Sequence, residues 1–552
     1  MFAYLLRLFR SLSQRELSLF YICSAVFALA LLSTLWTTFI TNTTLQPARG
    51  GEYTEGLIGQ PTAINPMLIG SSPADKHLAT VIFADLLTLA RDVATSTTGK
   101  VWVVTLKDDM VWSDGKAITA DDVLFTVHTI QNPDAGSPLF PHWQGVTVER
   151  MSQREVRFTL KAAYAYFPDS LRSLRIAPAH VFENIPPSNI RLSAYNLEPV
   201  ASGPYLFSSY EKKRDGFITE YHLAANNDFP GTRALIENIN FKFFPTYNDA
   251  VMAFNRKAID GLGGFDPATI PELKISHTLH EVPVPHYYAL FLNPSANSIL
   301  KDKTVRAALS LATNKQAIVD TVLGGHGTVT YGPVPASLPG YDAATYAGEH
   351  YSAEEAIALL EKQQWKLGAS GVRTRTVGKT TQTLEIEVTV PDLPFLVETA
   401  NLIAASWQAV GIKATIKTAS PEEIQTGAIK SRNYQALLFG NILRANTDLY
   451  SFWHSSQRFQ PGLNLAAYEN KTVDQLIDTT RKAFDEEARL TALSKIQQAI
   501  AADRPAIFLF SPVYLYASPN HLGGFSSRLI AAPEDRLSRI QDWFLETSRV
   551  FK

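Results

Sequence analysis

Cysteine is almost missing from these 552 residues: Cys23 is the single copy, and it sits inside a long apolar run. No internal disulfide can staple the rest, so its stability must come from the size of its core. An excess of charge is missing too. Fifty Lys and Arg stand against 52 Asp and Glu, a formal net charge of -2 with no basic stripe, which excludes a phosphate-reading nucleic-acid binder. Catalytic signatures are absent as well. There is no HExxH, CxxC, GxSxG or complete Walker A string. Ser-x-x-Lys occurs twice, at Ser209 to Lys212 and Ser298 to Lys301, but without a KTG string, and two unrelated copies are best read as chance. The 12 histidines are scattered; His277 and His280 have only Glu281 as a neighbouring carboxylate. Neither an enzyme nor a metal site is read here, and no cofactor is called for.

What is present begins at the N-terminus. Leu17 to Ala48 carries no charge, and Leu17 to Ile40 is mostly apolar. At about 1.5 Å per residue that run crosses a hydrocarbon layer of roughly 30 Å. Arg7, Arg10 and Arg15 precede it, so residues 1–16 are placed in the cytoplasm and everything after Ile40 outside. A cleaved signal peptide is the competing reading. Its apolar core is usually shorter and ends at a small-residue site, so an uncleaved anchor is preferred. More apolar residues follow Cys23, unlike a lipoprotein cysteine. Residues 41–52, TNTTLQPARGGE, read as a polar tether.

Beyond residue 52 helices and strands alternate, which predicts an α/β protein of several units. Val101 to Leu106 reads as a strand, Ser113-Asp114-Gly115 as a turn, and Thr119 as the cap of a helix whose first turn carries Asp121 and Asp122. Val123, Leu124, Val127 and Ile130 supply its apolar face. Tyr287 to Leu292 and Tyr434 to Phe439 read as buried strands, Arg481 to Ala502 as one long amphipathic helix stopped at Asp503-Arg504-Pro505, and Ala506 to Phe510 as a strand. After the strand ending at Phe439 comes a dense polar and aromatic loop, with Asn441, Arg444, Asp448, Tyr450, Trp453 and His454 close together. Loops leaving strand ends are where α/β proteins place ligand contacts, and 21 Tyr and 8 Trp suit an aromatic-walled cleft.

Four ordered strings carry a family resemblance: GLIGQPTAINPML at Gly56 to Leu68, WSDGKAITADDVLF at Trp112 to Phe125, SGPYLF at Ser202 to Phe207, and NLAAYENKTVD at Asn464 to Asp474. Together they resemble the family 5 extracellular solute-binding proteins, the dipeptide, oligopeptide and nickel binders that feed ABC importers. The resemblance implies a two-lobed periplasmic-binding-protein-like fold that closes like a hinge, with an extra subdomain in the first lobe. Lobe I would take residues 53–285 and 506–552, with the subdomain at about 76–196, and lobe II residues 286–505; the crossings would fall near Pro285 and Arg504. The implied protein is a monomeric receptor held outside the cell membrane by its N-terminal helix, binding a peptide or peptide-like ligand and meeting ABC permease subunits. Tyr205, Tyr450 and Trp453 would wall the ligand, and Gln60, Thr62, Asn441 and Asp448 would contact it. A sensor or adhesion receptor on the same scaffold is the alternative, and a cell-wall peptide hydrolase a weaker one.

Two departures stand out. Between Leu89 and Val101 the chain is shorter than the family pattern, by what reads as one strand. In the family's peptide binders a Gly-Trp pair is followed three residues on by an Asp that holds the ligand's α-ammonium; here Asn441 follows Gly440, and the acidic position is Arg444. Asp448 matches a later Asp of the family, with Leu449 in place of its Pro. An arginine there suits a carboxylate or phosphate instead.

Overall fold

The computed structural model describes residues 13–444 and 446–552. Arg7 and Arg10, assigned to the cytoplasmic side, lie outside them. Helix Gln14–Asn42 opens on Ser13, whose hydroxyl accepts the Glu16 N–H while the Glu16 carboxylate accepts that of Ser13. Its 29 residues reach about 43 Å, and none of its side chains is buried in the protein. The stretch 41–52, which composition alone reads as a loose tether, is ordered. The helix passes at Thr43 straight into strand Thr43–Ala48, which pairs antiparallel with the C-terminal strand Glu546–Phe551.

Among the described residues one 12-stranded sheet runs through both lobes. Its pivot is the strand Ala506–Ser518. The first half pairs with His286–Leu292, and the second half, from Val513, pairs with Thr278–Pro283 and Gly261–Gly263. The partners change at Ser511 to Val513, later than the return crossing that the sequence places near Arg504. Arg504 instead caps helix Glu486–Asp503 in a left-handed conformation, φ 46°, and donates to Glu349 at 2.7 Å.

Strand His286–Leu292 is buried on both faces: Tyr287, Ala289 and Phe291 enter one core, Leu290 and Leu292 another. That explains its unbroken apolar run. The subdomain is an antiparallel four-stranded sheet, Ala90–Thr95, Val101–Leu106, Glu155–Thr159 and Thr147–Arg150, packed by helix Ala120–Gln131. One strand, Ala90–Thr95, occupies the short stretch before Val101 and folds back on Val101–Leu106 through a turn. Thr119 caps the helix as its spacing predicts, accepting from Asp121 N–H while Asp122 accepts from Thr119 N–H at 2.8 Å.

The periodicity of Arg481 to Ala502 predicts one helix, and the structure has two, Lys471–Lys482 and Glu486–Asp503. Asp485 caps the second by accepting from Ala488 N–H at 2.8 Å. Phe484, released from helical geometry, packs against Trp102 of the subdomain, centroids 5.9 Å apart.

Candidate functional site

Strand direction locates the cleft. Glu52–Ile58, Asn238–Phe244 and Gly261–Gly263 run parallel, and like Thr278–Pro283 they oppose the second half of Ala506–Ser518. Because Pro283 pairs with Val513 beside the crossing, all of them run toward it. In lobe II, Ala436–Ile442 opposes His286–Leu292 and also runs toward the crossing, with Glu385–Pro391 and Lys413–Ala419 parallel to it. The carboxyl ends of both parallel sets thus converge on the inter-lobe crossing, where open α/β sheets place ligands.

Gln60 and Thr62 follow the end of Glu52–Ile58; Asn441 is the last residue but one of Ala436–Ile442, and Arg444 to His454 follow that strand's end. Tyr205 does not join them. It begins an antiparallel strand at the far edge of the sheet, fully buried, with its hydroxyl donating to Ile236 O at 3.0 Å, and burial pushes its phenol up. It is a core residue, not a cleft wall. Tyr247 is a further aromatic at this end of the sheet; half-exposed just past the end of Asn238–Phe244, it donates to Gly264 O at 2.9 Å.

Within lobe II, Asn441 and Trp453 are buried and both donate to the hydroxyl of Tyr287, at 2.7 and 3.1 Å. Trp453 also packs on Phe508, centroids 5.6 Å apart. Both residues brace the loop from behind. Tyr450 and His454 lie in front, rings 4.6 Å apart and each within 3.0 Å of the Ser456 hydroxyl. In lobe I the Gln60 amide oxygen accepts the Ile218 N–H at 2.9 Å, and the Thr62 hydroxyl and N–H both donate to Asp75 at 2.7 Å.

Arg444 and Asp448 belong to a contact between the lobes. Asp448 accepts the Tyr164 hydroxyl at 3.0 Å and faces Arg481 Nε at 3.2 Å. The Arg481 guanidinium lies over Tyr450 and Tyr164, 4.3 and 5.2 Å from the ring centres. Ala165 N–H donates to Arg481 O at 2.7 Å, Asn446 to Asp169 at 3.0 Å, and Arg444 Nη2 to His142 Nε2 at 2.9 Å. Burial and the Asp448 charge push the Tyr164 phenol up; burial and Arg444 hold His142 below its ordinary value. The alternating Tyr164-Ala165-Tyr166 between a strand and a helix was the sequence signal for this contact. Among the described residues no group of three or more His, Cys, Asp and Glu is placed to hold a metal.

The model of the bacterial extracellular solute-binding proteins, family 5 Middle, matches residues 87–460. The chain belongs to family 5. Among family 5 relatives, the oligopeptide-binding protein AppA of Bacillus subtilis is 26% identical over 522 residues, 91% of this chain and 92% of its own. The nickel-binding periplasmic protein of Escherichia coli is 26% identical over 404 residues, 71% and 73% of the two chains. Two solved structures share the fold. AppA from Bacillus subtilis in complex with a nonapeptide superposes with a TM-score of 0.66 at 24% identity, covering 91% of this chain and all of its own. The substrate-binding protein CtaP from Listeria monocytogenes gives 0.75 at 21% identity, covering 90% of this chain and all of its own. The two-lobed α/β architecture is that of family 5.

Proposed function

We propose that this family 5 protein captures peptides between its lobes and delivers them to an ABC permease, as a monomer that catalyses no reaction. Helix Gln14–Asn42 serves as an uncleaved anchor, with the lobes outside the cell membrane. The reading is supported by the convergence of both sets of parallel-strand ends on the inter-lobe crossing and by the separate contact that Asp448 makes between the lobes, in a chain of this family. Ligand contacts fall to Arg444, Asp448, Tyr450 and His454 from lobe II and to Gln60 and Thr62 from lobe I, while Asn441 and Trp453 hold the loop. Arg444 receives the ligand's carboxylate in a charge-assisted bond.

Titration calorimetry with one peptide library in free, N-acetylated and C-amidated forms tests this. Acetylation leaves affinity unchanged, whereas amidation lowers it about tenfold, the loss of one charged contact of about 1.4 kcal/mol. Arg444→Ala abolishes the difference between free and amidated peptides. The opposite ranking, with acetylation the damaging change, removes Arg444 from the site; absence of binding by any peptide removes the peptide reading.

A further inference from the structure

The C-terminal strand meets the chain where helix Gln14–Asn42 leaves off. No loop separates helix from strand: the Thr43 hydroxyl donates to Phe39 O at 2.6 Å, Lys552 N–H to Asn42 O at 2.9 Å, and Lys552 Nζ to Thr41 O at 2.9 Å. At its other end the ribbon is tied to lobe I, with Gly50 N–H donating to Leu235 O at 2.9 Å and strand Glu52–Ile58 entering the central sheet. The register divides its residues between two faces. Thr43 opposite Phe551, Leu45 opposite Arg549 and Pro47 opposite Thr547 share one; Thr44, Val550, Gln46, Ser548, Ala48 and Glu546 share the other.

The first face carries Leu45, 60% exposed, and Phe551, 71% exposed, on a ribbon that among the described residues has two strands and no third to cover them. Apolar groups of that size left open on a ribbon call for a covering surface. The neighbouring helix says which. Phe551 packs edge-on against Phe39, centroids 6.1 Å apart, and Phe39 is in the last turn of the apolar helix, so the two rings share one depth. Counting about 20 residues for the hydrocarbon layer from Leu17 brings that depth to its outer boundary. Arg549 stands opposite Leu45 on this face and Lys552 directly follows Phe551, the pairing of charge and hydrocarbon that suits anionic headgroups.

We propose that the ribbon of Thr43–Ala48 and Glu546–Phe551 lies with its Leu45 and Phe551 face on the outer headgroup layer, fixing the height and tilt of lobe I over the bilayer. The inference rests on the anchor reading of helix Gln14–Asn42. The test is nitroxide depth measurement on the full chain in phosphatidylcholine and phosphatidylglycerol proteoliposomes, in a Cys23→Ser background. Labels go at Val26→Cys, Leu45→Cys, Phe551→Cys, Val550→Cys and, as an aqueous reference, Leu192→Cys, which is 83% exposed. Expected are a deep label at 26, oxygen-over-nickel collision ratios at 45 and 551 several-fold above that at 192, and a lower ratio at 550 than at its neighbour. A deep label at 26 with 45 and 551 as wet as 192 overturns the ribbon proposal alone. A wet label at 26 overturns the anchor reading itself, and the ribbon proposal with it. Dipolar broadening at 45 or 551 without lipid depth means that a second copy covers the face, which also overturns the proposal.

Discussion

Arg536 in lobe I and Arg481 in lobe II both lie over two tyrosine rings and face a carboxylate that also accepts a tyrosine hydroxyl. His77 in the first network, and His142 against Arg444 in the same lobe contact as the second, are each held below the ordinary value. The Arg536 network is dry. Arg536 and Glu55 are completely buried, Tyr516 donates to Glu55 at 2.8 Å and meets the Tyr53 hydroxyl at 2.5 Å. Arg536 Nη1 donates to His77 Nε2, so the imidazole proton sits on Nδ1 and is given to Pro73 O at 2.6 Å. This network ties the C-terminal segment to strand Glu52–Ile58 inside one lobe. The Arg481 network is partly wetted and joins two lobes. Similar chemistry therefore fastens one lobe internally in one place and joins two lobes in the other, where the proposed function makes it a latch, and the difference is burial and the number of bodies joined.

The strongest way to break that comparison is Glu55→Ala. It leaves Arg536 buried without its counter-charge and should cost about 3 to 5 kcal/mol of stability. Urea denaturation of the variant reads it, and a loss under about 1 kcal/mol would show that the site is wetter than its burial implies. Asp448→Asn should do the reverse: little change in denaturation midpoint, but a roughly tenfold weaker ligand affinity, about 1.4 kcal/mol taken from closure. A shifted midpoint with unchanged affinity would make the contact structural rather than a latch.

Acidification probes both networks. A histidine whose value is depressed in the folded state stays neutral there while the unfolded chain takes up a proton. Stability is then complete above the ordinary value, 6.5, and is lost as pH falls below it toward the depressed value. For His77 the loss appears in the denaturation midpoint. For His142, exposed where it accepts from Arg444 between the lobes, it appears as weaker ligand binding from pH 7.5 to 5.5, and His142→Gln should flatten that slope. Equal slopes in the two proteins would remove His142 from the latch. Tyr164→Phe is the mildest change, removing one hydrogen bond while Arg481 still faces Asp448; about a fivefold affinity loss, near 1 kcal/mol, is expected by calorimetry.

Much of the scaffold could be read without coordinates because its signals are local. Thr119 and Asp122 announce their cap within four residues, and the run from Tyr287 to Leu292 reports burial on both faces. Side-chain destinations were harder. Tyr205, Asn441 and Trp453 look like cleft residues by type, but their polar atoms are used by Ile236 and Tyr287, partners remote in sequence. Phe484 fits an apolar helix face, so nothing nearby reveals that Trp102 draws it out of the helix. The ribbon was illegible for the same reason, since the strand that orders Thr43 to Ala48 lies at the opposite end of the chain.

Strand Ala506–Ser518 belongs to both lobes, and midway along it the Ser511 hydroxyl reaches His286 O at 2.6 Å and Val284 O at 3.3 Å on the other crossing segment. Two crossings tacked together at one point behave as an axle rather than as a pair of loose straps. Rotation about that axle is easy, while sliding and shear of the lobes meet the resistance of the paired strands. Under the proposed delivery, a permease would read such a body by two outlines, open and shut, rather than by a continuum of shapes.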